Sequence, residues 1–109
     1  MSKKVLILSG SPRRGGNSDL LCVEIARGAA ESGHEVKKIR VAAKKIAPCS
    51  GCYFCREHHG QCVHQDEMAE VLQKMIDADV LVLASPVYVY AIDAQLKAVI
   101  DRTVAPGWR

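Results

Sequence analysis

An α/β fold with a parallel sheet is predicted by three features of the chain: short, unbroken apolar runs at Val5 to Leu8 and Val80 to Ala84, amphipathic helical spacing between and after them, and a Gly- and Ser-rich segment that hands the first run to the first helix. Apolar runs too short for a helix are the pattern of strands covered on both faces. Alternating them with helices implies right-handed crossovers and therefore parallel strands. With 109 residues the chain forms one domain at most, and it is small for an open sheet with helices on both faces.

The elements follow in order. Val5 to Leu8 forms the first strand. A helix starts at Asn17 or Ser18, one of which is the expected cap, carries Leu21, Ile25 and Ala29 on one stripe, and stops near Ser32 before Gly33. Cys22 lies within it, among Leu20, Leu21, Ile25 and Ala26, and reads as a buried small hydrophobe. Glu35 to Val41 places Val36, Ile39 and Val41 in imperfect alternation with polar partners, which suits an edge strand. Met68, Val71, Leu72, Met75 and Ile76 fill the i, i+3, i+4, i+7, i+8 template of a second helix, with Asp66 placed to cap it. Val80 to Ala84 repeats the buried-strand pattern, and Ser85-Pro86 ends it. Leu96, Val99, Ile100 and Thr103 mark a third helix from about Asp93 that runs out before Pro106-Gly107.

Composition narrows the class. Apolar residues make up 49% of the chain with one Trp and one Phe, which excludes a disordered or disulfide-stapled protein and predicts aliphatic packing. The net charge of +3 gathers at Lys3 and Lys4, at Arg13 and Arg14, and over Lys37 to Lys45. No continuous basic stripe is interleaved with aromatics, so an anionic small ligand is expected and a nucleic-acid partner is not. No apolar run is long enough to span a membrane, and Met1-Ser2-Lys3-Lys4 leads straight into a strand, so a cytoplasmic protein without a membrane partner is expected. Four of the five cysteines crowd into Cys49 to Cys62, which in a reducing compartment favours a metal or redox role over disulfides.

Ser9 to Ser18, Ser-Gly-Ser-Pro-Arg-Arg-Gly-Gly-Asn-Ser, reads as an anion cradle. A strand that ends in Gly and Ser and feeds a helix aims backbone N–H groups at one spot, and the helix N-terminus adds positive partial charge there. Ser9, Ser11, Asn17 and Ser18 add short donors, and Arg13 or Arg14 adds a planar charged fork, so a phosphate-bearing ligand is expected. The nucleoside-triphosphate loop fits worse, because Gly10 and Gly15 are followed by Gly16 and Asn17 where Lys and Ser or Thr belong. The dinucleotide fingerprint fails at its second glycine, in Gly10-Ser11-Pro12. Ligands of such sheets bind beyond the carboxyl ends of the strands, where this loop meets the one from Ser85 to Ala91.

The cysteines are spaced Cys49-x2-Cys52-x2-Cys55-x6-Cys62. Three thiolates so spaced can converge on one cluster, with a fourth returning from a short loop. The longer last gap and the absence of Pro after Cys62 distinguish the run from a ferredoxin motif. A [4Fe-4S] cluster, a zinc ion that recruits His58, His59 or His64, and unligated cysteines all remain open on spacing alone.

With Gly-Ser-Pro-Arg-Arg-Gly-Gly-Asn-Ser at 10 to 18, Ser-Pro-Val-Tyr at 85 to 88 and Gln-Leu-Lys-Ala-Val-Ile-Asp-Arg at 95 to 102, in that order, the chain resembles the flavodoxin-like NAD(P)H-dependent FMN reductases, and within them the iron-sulfur flavoproteins. The resemblance implies a flavodoxin-like three-layer α/β/α sandwich of which only the first three strands, in order 2-1-3, are present. It implies an oxidoreductase in which NAD(P)H or another reduced donor reduces FMN and electrons pass to a small-molecule or protein acceptor, one at a time where a cluster is present. Ser9, Ser11, Arg13, Asn17 and Ser18 would hold the FMN phosphate, and Pro86, Val87 and Tyr88 would lie against the ribityl chain and flavin ring. Cys49, Cys52, Cys55 and Cys62 stand where the iron-sulfur flavoproteins carry a compact cysteine motif, before Asp66-Glu67-Met68. No side chain is expected to act as acid or base, because the cofactor performs the chemistry. The resemblance also implies a homo-oligomer. Members normally continue through two more strands and a further flavin-contacting loop, so residues 1–109 are expected to be a domain truncated at its C-terminus, with an exposed edge on the third strand. A non-enzymatic electron carrier on the same fold and a zinc-stabilised binding module are the rival readings.

Overall fold

The computed structural model describes residues 2–108, apart from the Trp108 side chain; Met1 and Arg109 lie outside the described residues. β1 (Lys4–Ser9), α1 (Asn17–Glu31) and β2 (Glu35–Arg40) come first, followed by a 3-10 turn at Val41–Ala43. A long cysteine-bearing loop containing the short α2 (Phe54–Glu57) leads to α3 (Met68–Asp77) and β3 (Val80–Ala84). A small hairpin of β4 (Val87–Tyr88) and β5 (Ala91–Ile92) precedes α4 (Ala94–Arg102), and a 3-10 turn at Ala105–Trp108 ends the description. The three main strands are parallel in the order β2-β1-β3, with Val5 opposite both Val36 and Val80.

The strand period of two divides the core. Leu6 and Leu8 pack with Ile39, Val41, Met68, Val71, Leu96 and Val99 under α3 and α4, whereas Val5 and Ile7 pack with Cys22 under α1. Helices therefore cover both faces of β1, in the three layers that the sequence predicts. Cys22 is buried, as expected of it.

Three expectations change. Leu21 and Ile25 are exposed, because the covered stripe of α1 is Asp19, Cys22, Ala26 and Ala29, one step round the helix from the larger side chains. The N-cap of α1 is Gly16, which makes no side-chain bond, so neither Asn17 nor Ser18 caps it. The exposed edge expected of the third strand is present: Val80, Leu81 and Leu83 are each more than 40% exposed, since β3 is an edge of the three-stranded sheet. Ile76, the last residue of the α3 template, is exposed as well. The third helix holds: Asp93 caps α4, with its carboxylate accepting from Leu96 N.

Candidate functional site

Three loops leave the carboxyl ends of the three parallel strands: Gly10 to Gly16 after β1, residues 44–67 after β2 and its turn, and Ser85 to Asp93 after β3. This rim is where open α/β sheets bind their ligands.

The first loop is anchored at both ends. Gly10 N donates to Ala84 O at 2.8 Å, which ties its start to the end of β3. A Cβ on Gly10 would lie 2.7 Å from Asp93 Oδ1 and 2.9 Å from Leu96 Cβ, so only glycine lets the loop pass so close to the start of α4. Gly10→Ala is accordingly expected to cost about 1–3 kcal/mol through overpacking. A lower urea midpoint with an unchanged slope would register it, and an unchanged midpoint would mean that Asp93 and Leu96 give way. Beyond Gly10, Ser11 is buried and its Oγ accepts from Arg13 N at 3.2 Å. Gly15 takes a φ of 74°, and its N–H donates at 2.9 Å to Asp19 Oδ2.

Asp19 is a residue that sequence reasoning missed. Its carboxylate pairs with Lys38 of β2, and the Lys38 hydrogen bond, followed by that from Gly15 N, holds its carboxyl below the ordinary range. One loop N–H is thus spent inside the fold. Arg40, also from β2, donates to Pro12 O at 3.4 Å and adds a third guanidinium beside the loop. Of the residues predicted to hold phosphate, Ser9 and Ser11 are buried, Ser9 with no partner for its Oγ, while Arg13 and Asn17 are exposed and Ser18 is half-buried. Arg14 is exposed too. The cationic side chains are free to reach an anion.

In the loop after β3, Ser85 Oγ accepts from Asp93 N at 2.9 Å and locks the strand exit. Val87 pairs with Ile92 and Tyr88 with Ala91. The two residues of the turn, Val89 and Tyr90, take φ values of 48° and 66°, a conformation that suits Asn or Gly and strains a β-branched side chain. Their exposures are 91% and 100%. Pro86 is half-buried and Val87 and Tyr88 are exposed, so the expected flavin-contacting residues form an open apolar shelf. Tyr90 packs on nothing in its own domain.

The cysteine loop coils tightly, with positive φ at Gly51, Tyr53, His59 and Gly60. That winding brings Cys49, Cys52, Cys55 and Cys62 to one cavity of about 170 Å³, shared with Tyr53, His64 and Arg102. All four are free thiols; Cys49 and Cys52 are exposed and Cys55 and Cys62 half-buried. The Cys52 thiol is held below its ordinary pKa, first by a hydrogen bond with Ser50 and then by Phe54 N. Among the described residues no three His, Cys, Asp or Glu side chains stand at metal-binding spacing, so the sulfurs share a cavity without forming a closed cage. In donor type, four thiols lining one cavity, they suit a thiolate-held group. The histidines suit zinc less. His58 stacks on Phe54 and its Nδ1 bonds Phe54 O at 2.7 Å, His59 is exposed, and only His64 reaches the cavity.

Arg102 and Asp66 are the second pair that sequence reasoning did not join. Asp66 performs its expected task, accepting from Met68 N at 3.1 Å, although the N-cap position belongs to Glu67. Its carboxylate also receives a two-pronged bond from Arg102, with Nη1 at 2.9 Å and Nη2 at 3.0 Å. That contact, ahead of those from Ala47 N and Met68 N, holds the Asp66 carboxyl well below the usual range. The partners lie 36 positions apart, and no local pattern joins them.

A parallel sheet in the order 2-1-3 with helices on both faces and a Gly- and Ser-rich strand-loop-helix turn after its central strand is an α/β arrangement of the flavodoxin-like class. Residues 3–109 match the family model for NADPH-dependent FMN reductase, and the chain belongs to that family. It is 45% identical over 100 residues to an iron-sulfur flavoprotein of Methanocaldococcus jannaschii, covering 92% of this chain and 51% of that protein. To an iron-sulfur flavoprotein of Methanosarcina thermophila it is 39% identical, covering 93% of this chain and 52% of the other. The chain thus spans about half the length of the curated relatives it matches. In fold it is similar to an NAD(P)H:quinone oxidoreductase from Methanothermobacter marburgensis, with a TM-score of 0.80 at 22% identity over 98% of this chain and 56% of that one. No helix among the described residues is long and apolar enough to cross a membrane.

Proposed function

We propose that this chain carries the FMN-phosphate cradle and the cysteine centre of a flavoprotein oxidoreductase that draws electrons from NAD(P)H or another reduced donor and passes them to a small-molecule or protein acceptor. The observation that carries this reading is the origin of three loops: those that bear the expected cradle, the cysteines and the apolar shelf leave the carboxyl ends of the parallel strands β1, β2 and β3. Membership of the FMN reductase family and the names of the relatives support it. Bound FMN would supply hydride-accepting chemistry, and a [4Fe-4S] cluster on Cys49, Cys52, Cys55 and Cys62 would supply one-electron transfer.

The protein's own part is to bind, orient and screen. Ser9, Ser11, Asn17 and Ser18 line the cradle as short polar groups, and Arg13 brings permanent charge to the phosphate. Pro86, Val87 and Tyr88 offer a rigid apolar face that would exclude water from one side of the flavin. Nothing here requires a side chain to move a proton.

Two measurements test the reading. Protein purified without oxygen should show flavin and charge-transfer absorbance together with iron and sulfide, and NAD(P)H should bleach the flavin band. Iron and flavin without bleaching by NAD(P)H would favour a carrier, and zinc without flavin would favour a binding module. For the cradle, Arg13→Ala is expected to weaken FMN binding at least roughly tenfold, as loss of a charge-assisted phosphate contact predicts. Titration of flavin fluorescence reads it, and an unchanged affinity would transfer the role to Arg14 or Arg40.

A further inference from the structure

The cysteine loop begins near Ala47 and returns at His64, and one side chain from outside the loop holds both ends. Arg102, at the last position of α4 and 3% exposed, donates to Ala47 O at 2.8 Å and to His64 O at 3.4 Å while it grips Asp66 with the same two terminal nitrogens. Its remaining donor, Nε–H, is buried with no partner. A buried N–H left unpaired costs stability, so an acceptor in the cavity would be stabilised there. Arg102 lines the cysteine cavity, whereas Asp66 does not. Cys49, Cys52 and Cys55 therefore share their cavity with the cation and not with its counter-ion, while Cys62 also borders a second cavity that Asp66 and Arg102 line together.

We propose that Arg102 is the positioning residue of the cysteine centre: its guanidinium ties the two ends of the loop to α4 and sets a fixed positive charge in the cavity that the four sulfurs line, favouring the more reduced, more negative state of the group the thiolates hold. The proposal rests on the reading of the four cysteines as ligands. A cation next to a ligating sulfur stabilises added negative charge, and hydrogen bonds to cluster sulfurs act in the same direction.

Arg102→Lys keeps the charge and loses the fork. The paired change Arg102→Gln with Asp66→Asn removes both charges together, so that no buried ion is stranded. Each full-length protein is purified without oxygen, analysed for iron, sulfide and FMN, and titrated with redox dyes while the iron signal is followed. The paired variant should retain iron and FMN, with its reduction equilibrium shifted roughly tenfold toward the oxidised form, about 59 mV for one electron. Arg102→Lys should stay close to wild type. Iron retained with an unmoved midpoint in the paired variant overturns the role of Arg102 alone. Loss of iron from both variants reduces Arg102 to a structural clamp and overturns it too. A wild-type protein with neither iron nor sulfide overturns the ligand reading, and the role of Arg102 falls with it.

Discussion

Replacing Asp66 by Ala is expected to destabilise the protein by about 3–5 kcal/mol, because it leaves the Arg102 guanidinium buried without its counter-ion. The Arg102 side chain is 2% exposed and the Asp66 side chain 18%, so water compensates little. Asp66 also accepts from Ala47 N at 2.8 Å and from Met68 N, which removes a loop anchor and a helix-start bond in the same step. The loss should appear as a lower urea midpoint at neutral pH. The pair also has a pH signature whose sign follows from the direction of the Asp66 shift. Its folded carboxyl titrates well below its unfolded value of about 3.9, so the stability it contributes is complete above that value and is lost as pH falls toward the folded one. Wild-type stability should therefore fall steeply below about pH 4, and the Asp66→Ala protein should lose much less over the same interval. If both lose the same amount, Asp19, whose carboxyl is also depressed, is the group that governs acid unfolding.

The division between what the sequence declared and what it withheld has a physical basis. Val5 to Leu8 and the α3 pattern of Met68, Val71, Leu72 and Met75 are legible because period and burial coincide: each apolar position meets a neighbouring layer. Leu21, Ile25, Leu81 and Leu83 carry the same residue types and remain exposed, because periodicity records which face could be buried and not whether a layer lies against it. In the candidate site, the cradle and the cysteine run were legible as local strings. Asp19 with Lys38 and Asp66 with Arg102 were not, since each pair joins residues from different elements and neither partner has a sequence context that names the other. The hairpin at Val87 to Ile92 was hidden for a further reason. Its turn residues, Val89 and Tyr90, contradict the usual turn chemistry, and local strain of that kind gathers where a loop is held for function.

Cys52→Ser is expected to remove most of the iron while leaving the fold and the FMN site intact. Cys52 is exposed, so as a mere surface residue its replacement would change stability by no more than about 0.5 kcal/mol. As a ligand it behaves differently. Anaerobic wild-type protein should then hold roughly four iron and four sulfide per chain, the content of a cubane cluster on four cysteines. The variant should lose that content, keep its affinity for FMN through Arg13 and the loop N–H groups, and still accept electrons from NAD(P)H. Transfer to a one-electron acceptor should slow, because serine oxygen is a harder and weaker ligand for iron than a thiolate. The depressed Cys52 thiol points the same way: hydrogen bonding with Ser50 and Phe54 N favours the thiolate, which is the form that binds metal. Zinc in place of iron would assign the loop a structural metal and predict a lower urea midpoint for the variant in place of slower electron transfer. Full one-electron transfer in Cys52→Ser, or wild-type protein free of iron and sulfide, would leave the four thiols as packing for a loop and place the redox chemistry on the flavin alone.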